Sequence, residues 1–295
     1  MPELPEVETV RRGLNQLTLN QKIIGGDVLL HRTIAYPLSP EEFLTAIQDN
    51  AIATWHRRGK YLLAELSCST KDKGDKENDV SSSTPCSGFL GVHLRMTGQL
   101  LWLHREEPLH KHTRVRLFFQ SDRELRFVDQ RTFGQMWWVP PGKAPESIIT
   151  GLAKLAIDPF SHEFTVDYLA NKLKNRRRPI KTALLDQSVV AGLGNIYADE
   201  ALFSSQILPE ILCTDLQREQ IERLRSCIIK VLETSITHGG TTFSNFLNVK
   251  GINGNYGGVA WVYNRTGEPC RVCGTAILRT RLAGRSSHYC SHCQR

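Results

Sequence analysis

Long apolar runs are missing from the 295-residue sequence, and none reaches the length of a membrane-spanning helix. The N-terminal segment also lacks the order of basic residues followed by apolar residues that is typical of a secretory signal. We therefore expect an intracellular protein that does not span a membrane. Disulfides are rare in reducing compartments of this kind.

Acidic residues are fewer than basic ones, 30 against 37, which gives a net charge of +7 and a pI of about 9.0. This excess favours a polyanionic partner, either nucleic acid or an anionic membrane. The 40% of hydrophobic and 23% of charged residues are ordinary for a globular protein. The length allows two or three domains, each with its own core.

Cysteine is sparse except at the C-terminus, where Cys270, Cys273, Cys290 and Cys293 form a C-x2-C-x16-C-x2-C pattern. This spacing is typical of a zinc site with four cysteine ligands. Four thiolates complete a tetrahedral site, so the predicted zinc is structural and has no open position for a reactant. Two disulfides are the alternative, which a reducing compartment disfavours.

Eight short apolar segments between residues 22 and 140 are separated by turn residues, a pattern that predicts an antiparallel β-sandwich or barrel. Helical spacing at 5–17 and in the segment EEFLTAIQ predicts helices beside it. The polar segment 67–88 interrupts the strands and is expected to be a mobile loop. We therefore predict an N-terminal β-sandwich domain at 1–140.

A proline-punctuated segment at 141–160 is predicted to link this domain to a helical one at 161–264, with an amphipathic helix around Ile221–Leu232. There, the glycine-rich turn VAGLGN leads into a helix at Asn195. Backbone amides at the start of a helix can bind phosphate, and the Asn195 side chain is placed to cap the helix. The alternative is that the glycines only allow a tight connection between two helices. A dinucleotide-binding fold is disfavoured because a helix precedes the turn. The zinc segment, 265–295, contains two predicted strands around an AGRS turn with Arg285 at its tip.

The first residues suggest a nucleophilic role in catalysis, because removal of Met1 would leave Pro2 with a free secondary amine. Such an amine attacks an electrophilic carbon and forms an iminium, and Glu3 would lie beside it. The alternative interpretation is a frayed terminus followed by a helix start.

Seven segments occur in order and together resemble the formamidopyrimidine-DNA glycosylase family: PELPEVET, HRRGKYLL, HLRMTG, DQRTFG, GLGNIYADEALF, GGTTF and the C-terminal PCRVCGT…GRSSHYCSHCQ. The resemblance extends from Pro2 to Gln294, apart from the insertion at 67–88. It implies an α+β multidomain fold: an N-terminal β-sandwich flanked by helices, a helix–two-turn–helix domain with a lesion-capping loop, and a zinc-ribbon hairpin. The implied partner is double-stranded DNA that contains oxidised purines, with no membrane partner, and the implied assembly state is a monomer. The resemblance also implies an intracellular location, in the cytoplasm or nucleoid of a bacterium or in an organelle.

The resemblance also implies the reaction and its residues. Family members excise oxidised purines, notably 8-oxoguanine opposite cytosine and formamidopyrimidines, and then cleave the strand by β,δ-elimination. Pro2 corresponds to the nucleophile and Glu3 to the acid. Lys60 corresponds to the donor linked to β-elimination, and Arg285 to the residue linked to the δ step. One structural zinc is implied, and no catalytic metal is needed.

Two further sets of residues match family positions at the DNA. One set contacts or lies near DNA: His93, His112, Arg131, Arg176, Asn195 and Tyr263. The other set fills the space that a flipped nucleotide leaves in the base stack: Met96, Arg131 and Phe133. The capping loop, about Thr242 to Tyr256, has Ser244 where some relatives have lysine, so the residues that read the base stay open.

Two alternatives remain at this point. An endonuclease VIII-type glycosylase acts on oxidised pyrimidines, but its relatives usually begin PEGPE, whereas this chain has PELPE after Met1. A non-catalytic zinc DNA-binding protein would require neither the PELPE start nor Lys60. We therefore expect a bifunctional enzyme that excises the base and cleaves the DNA strand.

Overall fold

The computed structural model describes residues 1–68, 86–241 and 248–295, which group into two compact units. The first comprises Met1–Pro2, Glu6–Ala153 and the described part of Thr242–Gly254, and the second comprises Glu3–Pro5, Lys154–Thr241 and Asn255–Arg295. Most of the predicted insertion at 67–88 lies outside the described residues, as does the part of the predicted capping loop that contains Ser244. The domain boundaries at 140, 160 and 264 stay predictions.

Two β-sheets with helices beside them build the first unit. The strands are β1 (Ile23–Val28), β2 (Ile34–Tyr36), β3 (Asn50–Arg58), β4 (Tyr61–Cys68), β5 (Cys86–His93), β6 (Gly98–His104), β7 (Thr113–Phe119), β8 (Arg123–Asp129) and β9 (Gln135–Val139). The helices are α1 (Leu4–Leu17), which belongs to this unit from Glu6 onward, α2 (Pro40–Ile47), α3 (Pro145–Ile148) and α4 (Thr150–Ala153). One sheet has the order β2-β9-β5-β4-β3 and the other β1-β7-β8-β6.

The predicted sandwich is confirmed, and its pairs are antiparallel except for β2 and β9, which are parallel. Strand β2 was not predicted, because three residues are too few to show an alternating pattern. Alternate residues of β7 are buried, and so are Val7, Val10 and Leu14 at helical spacing on α1. These side chains share one hydrophobic core with residues of both sheets, which fixes the strand ends that carry the predicted site residues.

Helices and one hairpin build the second unit. They are α5 (Val166–Leu173), α6 (Ile180–Leu184), α7 (Asn195–Ser204), α8 (Arg218–Thr237), β10 (Leu278–Leu282) and β11 (Arg285–Tyr289). The apolar face of α8 is buried, which confirms the predicted amphipathic helix. The two-residue turn of the hairpin has positive φ at Ala283 (46°) and Gly284 (79°), as tight hairpins with right-handed strand twist require. None of the helices in the described ranges is both long enough and apolar enough to span a membrane.

Candidate active site

The carboxylate of Glu3 lies at the N-terminus of α7 and is buried, with 2% of the residue's surface exposed. Its Oε1 accepts a hydrogen bond from the Ile196 amide at 3.0 Å, and its Oε2 accepts one from the Tyr197 amide at 3.5 Å. The first amides of a helix have no partner within the helix and carry partial positive charge, so they stabilise an anion. The sequence offered phosphate as a ligand of this helix start, with a plain helix connection as the alternative, but in the structure the group bound there is the Glu3 carboxylate.

Two glycines of the VAGLGN turn make this contact possible. A Cβ on Gly194 would lie 2.3 Å from Cδ of Glu3, and a Cβ on Gly192 would lie 2.7 Å from Cδ1 of Leu4. Gly192 also has φ of +86°, and its carbonyl accepts a hydrogen bond from the Leu4 amide at 3.0 Å. The turn therefore receives the segment Glu3–Leu4, which explains its glycines better than a plain helix connection does.

Asn195 and Tyr263 lie close to Glu3 in the same unit. Gly194, not Asn195, is the N-cap of α7, so the predicted capping option for Asn195 is wrong. The Nδ2 of Asn195 donates to Oγ of Ser286 at 3.4 Å, and its buried Oδ1 has no hydrogen-bond partner among the residues that the structure describes. Burial raises the pKa of Tyr263 and outweighs the hydrogen bond from Asn195, which lowers it. The hydroxyl of Tyr263 therefore stays protonated at neutral pH.

A buried charge cluster links three elements of the second unit. The Nζ of Lys181 on α6 lies 2.6 Å from Oδ1 of Asp199 on α7 and also donates to the carbonyl of Ser286 on β11. The Oδ2 of Asp199 is 3.0 Å from both the amide and Nδ1 of His288 on β11. Burial lowers the pKa of Lys181 below its usual value, because it outweighs the carboxylates of Asp199 and Glu3, which raise the pKa. The cluster fixes the hairpin strand that begins at Arg285.

A second buried carboxylate, that of Glu200, fixes the segment that ends at Tyr263. It accepts hydrogen bonds from the amides of Trp261 at 2.8 Å, Val262 at 2.9 Å and Tyr263 at 2.9 Å. Burial raises the pKa of Glu200 above its usual value, because it outweighs these hydrogen bonds, which lower the pKa. Sequence reasoning missed Glu200, Asp199 and Lys181, because each is a charged residue whose partner is distant in sequence.

Arg285 is the first residue of β11 and pairs with Leu282 across the hairpin turn, as predicted for the AGRS segment. Arg279, Arg281 and Arg285 are exposed and line one shallow cavity together with Asn195 and Ser286. Clustered guanidinium groups of this kind are suited to phosphate.

Arg176, a predicted DNA contact, is part of an ion pair. Its Nη1 lies 3.1 Å from Oδ2 of Asp186, which Arg178 also contacts at 2.7 Å. Hydrogen bonds from Ser188 and Arg178 outweigh the effect of burial and lower the pKa of Asp186. The Arg176 guanidinium is therefore oriented by this carboxylate and remains partly exposed.

Lys60 is the residue before β4, at the β3–β4 turn, and is 6% exposed. The turn is held from α1: Nε of Arg57 lies 3.1 Å from Oε2 of Glu8, and Nη1 of Arg57 donates to the Gly59 carbonyl at 3.2 Å. Burial raises the pKa of Glu8, but hydrogen bonds from Arg11 and Arg12 and the charges of Arg11 and Arg57 hold it at about 2. Glu8 is therefore ionised throughout the physiological range, and the link to the turn persists.

His93 ends β5 and is buried, whereas His112 lies on the exposed turn before β7. The Nδ1 of His93 accepts a hydrogen bond from the Arg95 amide at 2.9 Å, so the ring proton is on Nε2. Burial, Arg95 and Lys60 lower the pKa of His93 to about 3. The ring is therefore a neutral donor at physiological pH. Desolvation, followed by the charges of Lys111 and Arg114, lowers the pKa of His112.

Met96, Arg131 and Phe133 lie in turns and not in the core. Met96 is half-buried, Arg131 is exposed, and Phe133 is 52% exposed. The guanidinium carbon of Arg131 lies 5.1 Å from the centre of the Phe133 ring, a cation–π distance. A wedge requires side chains that can reach into another molecule, and its assignment to these three residues stays a prediction.

The four C-terminal cysteines form a compact cluster whose Sγ atoms all lie within 4.8 Å of one another. Cys270 and Cys293 have sulfurs 3.9 Å apart, and Cys273 and Cys290 have sulfurs 3.5 Å apart. Four sulfurs at about 2.3 Å from one zinc would be about 3.8 Å apart, whereas a disulfide requires about 2 Å. The cluster fits one structural zinc with no open position, and it excludes the two-disulfide alternative.

Three family models match successive parts of the chain. "Formamidopyrimidine-DNA glycosylase N-terminal domain" matches residues 1–136, "Formamidopyrimidine-DNA glycosylase H2TH domain" matches 155–246, and "Zinc finger found in FPG and IleRS" matches 267–295. Together they cover most of the sequence.

Relatives and solved structures agree with these models. The formamidopyrimidine-DNA glycosylase of Nostoc punctiforme is 78% identical over 100% of this chain and 96% of that protein, and the one of a Nostoc species is 74% identical over 100% of both. A Lactococcus lactis FPG mutant bound to Fapy-dG-containing DNA is 32% identical, with a TM-score of 0.86 over 100% of both chains. MutM (FPG) from Thermus thermophilus is 33% identical, with a TM-score of 0.83 over 99% of this chain and 98% of that one.

Proposed function

This chain belongs to the formamidopyrimidine-DNA glycosylase family, and we propose that it is a base-excision-repair enzyme with DNA glycosylase and AP lyase activities. Its substrate is double-stranded DNA with an oxidised purine, mainly 8-oxoguanine opposite cytosine or a formamidopyrimidine. The lesion DNA bound by the Lactococcus lactis relative supports this substrate class. The enzyme works as a monomer inside a bacterial cell, in the cytoplasm or nucleoid.

One observation carries the mechanism: the buried Glu3 carboxylate at the N-terminus of α7, next in sequence to Pro2. With Met1 removed, the Pro2 amine, which titrates near pH ~8 when unperturbed, is neutral in a useful fraction of molecules. It attacks C1′ of the flipped nucleotide as the bond between C1′ and the base breaks, and the oxidised base leaves as an anion that takes a proton from water.

Glu3 then moves one proton. Iminium formation requires the amine to lose a proton, and opening of the sugar requires O4′ to gain one, so a single carboxyl between them balances the step. The amides of Ile196 and Tyr197 stabilise the carboxylate once the proton has left.

Strand cleavage follows from the iminium. The cation makes the C2′ proton acidic, and loss of that proton expels the 3′ phosphate; a second elimination expels the 5′ phosphate. Lys60 assists the first elimination, and Arg285 assists the second and holds phosphate. The zinc held by the four cysteines has no open position and serves to fix the hairpin that carries Arg285.

The remaining predicted residues bind the DNA. His93, His112, Arg176, Asn195 and Tyr263 contact or lie near the DNA around the lesion. Met96, Arg131 and Phe133 occupy the space that the flipped nucleotide leaves.

Arg131 also reads the opposite base. Its donors pair with the two acceptors of cytosine, O2 and N3, but meet a donor on adenine. The enzyme therefore avoids excision opposite adenine, which would fix a mutation.

Borohydride trapping tests this function, because it reduces the iminium and leaves a covalent protein–DNA adduct. A duplex with 8-oxoguanine opposite cytosine should give the adduct faster than a duplex with thymine glycol. A faster adduct with thymine glycol would indicate an endonuclease VIII-type enzyme, and no adduct with either duplex would indicate a non-catalytic DNA-binding protein.

A further inference from the structure

The wedge residues lie on two neighbouring turns of the first unit. The Met96 turn (residues 94–97) joins β5 to β6, and the Arg131 turn (residues 130–134) joins β8 to β9. Each turn passes from one sheet to the other, since β5 and β9 belong to the five-stranded sheet and β6 and β8 to the four-stranded one. The strand register places the turns side by side through two pairs: His93 with Gln135, and Gly98 with Asp129.

A buried carboxylate, that of Asp129, binds both turns. Asp129 is 1% exposed. Its Oδ1 accepts a hydrogen bond from the Thr97 hydroxyl and another from the Arg131 amide at 3.2 Å, and its Oδ2 accepts one from the Gly134 amide at 2.7 Å. Hydrogen bonds to an ionised carboxylate are stronger than neutral ones, so this group anchors the Met96 turn and both ends of the Arg131 turn.

The Thr97 hydroxyl joins the turns a second time. Its proton goes to Asp129, and its oxygen accepts a hydrogen bond from the Arg131 amide at 2.9 Å. Thr97 directly follows Met96 in the chain. A movement of Met96 therefore also moves the Thr97 hydroxyl, which positions the backbone of Arg131.

The anchor itself is fixed by its surroundings. The Asp129 amide donates to the His112 carbonyl at 3.0 Å, and Nε of Arg114 donates to the Asp129 carbonyl at 2.8 Å. A Cβ on Gly134 would lie 2.4 Å from Cζ of Phe127 and 3.1 Å from Oδ2 of Asp129, so a side chain there would clash with the Phe127 ring and crowd the carboxylate. The wedge side chains are thus exposed, while the groups that hold their backbone are buried.

We propose, on the basis of the function proposed above, that Asp129 and Thr97 are positioning residues that make the two turns one rigid unit. Met96, Arg131 and Phe133 then enter the base stack together. The discrimination by Arg131 between cytosine and adenine requires the Thr97 hydroxyl, although Thr97 touches neither base.

The test measures single-turnover excision of 8-oxoguanine opposite cytosine and opposite adenine for a matched pair of variants. Thr97→Ser keeps the hydroxyl and should keep the wild-type ratio of the two rates. Thr97→Val removes the hydroxyl at nearly constant volume and should lower the ratio about tenfold, the size expected for one lost hydrogen bond to a charged group. Thr18→Val is the stability control, since it removes a buried hydroxyl elsewhere in the first unit and should leave the ratio unchanged.

A double-mutant cycle separates positioning from general destabilisation. If Thr97 acts through Arg131, Thr97→Val should change the ratio no further in an Arg131→Ala background. Equal losses opposite both bases, additive effects with Arg131→Ala, or a Thr97→Val ratio equal to that of Thr97→Ser would each overturn the proposal. Wild-type protein that fails to excise 8-oxoguanine would instead overturn the proposed function, so the two failures are distinguishable.

Discussion

The surroundings of Glu3 and the Arg131 turn use buried hydrogen bonds in opposite ways. At the start of α7 the predicted catalytic group is itself buried, and its own carboxylate takes the amide hydrogen bonds. In the Arg131 turn the predicted DNA-contacting side chains are exposed, and a buried neighbour, Asp129, takes the hydrogen bonds of their backbone. A proton donor gains from a fixed, water-poor site, whereas a wedge must reach into another molecule and can be fixed only through its main chain.

The largest effect is expected at Glu3, because loss of a positioned acid typically slows a reaction by about 10²- to 10⁴-fold. Glu3→Gln should bind lesion DNA but lose base excision by about this factor. The affinity for the duplex and the single-turnover excision rate, both measured on the same duplex, show whether binding is kept while excision is lost. Excision at the wild-type rate would show that the buried carboxylate is not the acid.

Zinc removal is expected to act on the hairpin and to leave the sandwich folded. Structural zinc contributes about 10–16 kcal/mol in zinc-finger peptides, so Cys290→Ser should unfold the segment that carries Arg285. DNA affinity should fall strongly, while the far-UV signal of the sandwich is kept. Metal analysis should find one zinc per wild-type chain, and full activity in zinc-free protein would contradict this role.

Arg131→Ala should erode the preference for cytosine over adenine opposite 8-oxoguanine. A bidentate contact of this kind discriminates by about 1–3 kcal/mol, or roughly fivefold to over a hundredfold. Phe133→Ala is the matched comparison and should slow excision opposite either base, since a phenyl ring carries no hydrogen-bond code. An unchanged ratio in Arg131→Ala would mean that the opposite base is read elsewhere.

The smallest effect at physiological pH is expected from His93, which makes the stability depend on pH only below about 6.5. The pKa of His93 is about 3 in the folded chain, against 6.5 for an unperturbed histidine. Below pH 6.5 the unfolded chain binds a proton that the folded chain does not, so the free energy of unfolding falls as the pH falls towards 3, by at most about 1.4 kcal/mol per pH unit. Denaturant titrations at several pH values should show a shallower decline for His93→Gln, and an unchanged slope would contradict the buried neutral ring.

The zinc ligands, most strands and α8 could be predicted from the sequence, because each leaves a local pattern. Cysteine spacing reports a tetrahedral site directly, and the apolar face of α8 repeats at helical spacing. Strand β2 could not be predicted, since its three residues pair in parallel with β9, more than 90 residues later.

The buried carboxylates show where sequence reasoning stops. Glu8, Asp129, Asp199 and Glu200 look like surface residues in the sequence, yet each binds partners that only the fold brings together. The helix start at Asn195 was located correctly, but the sequence left its amides between phosphate binding and a plain helix connection. A sequence does not show that Glu3, nearly 200 residues earlier, occupies them.

The most direct test of the proposed mechanism is the position of the covalent adduct. After borohydride trapping on 8-oxoguanine DNA, proteolysis and mass spectrometry should place the nucleotide on the amine of Pro2, and Pro2→Gly should impair trapping. An adduct found on a lysine such as Lys60, in the enzyme as purified and with none at Pro2, would contradict the assignment of Pro2 as the nucleophile.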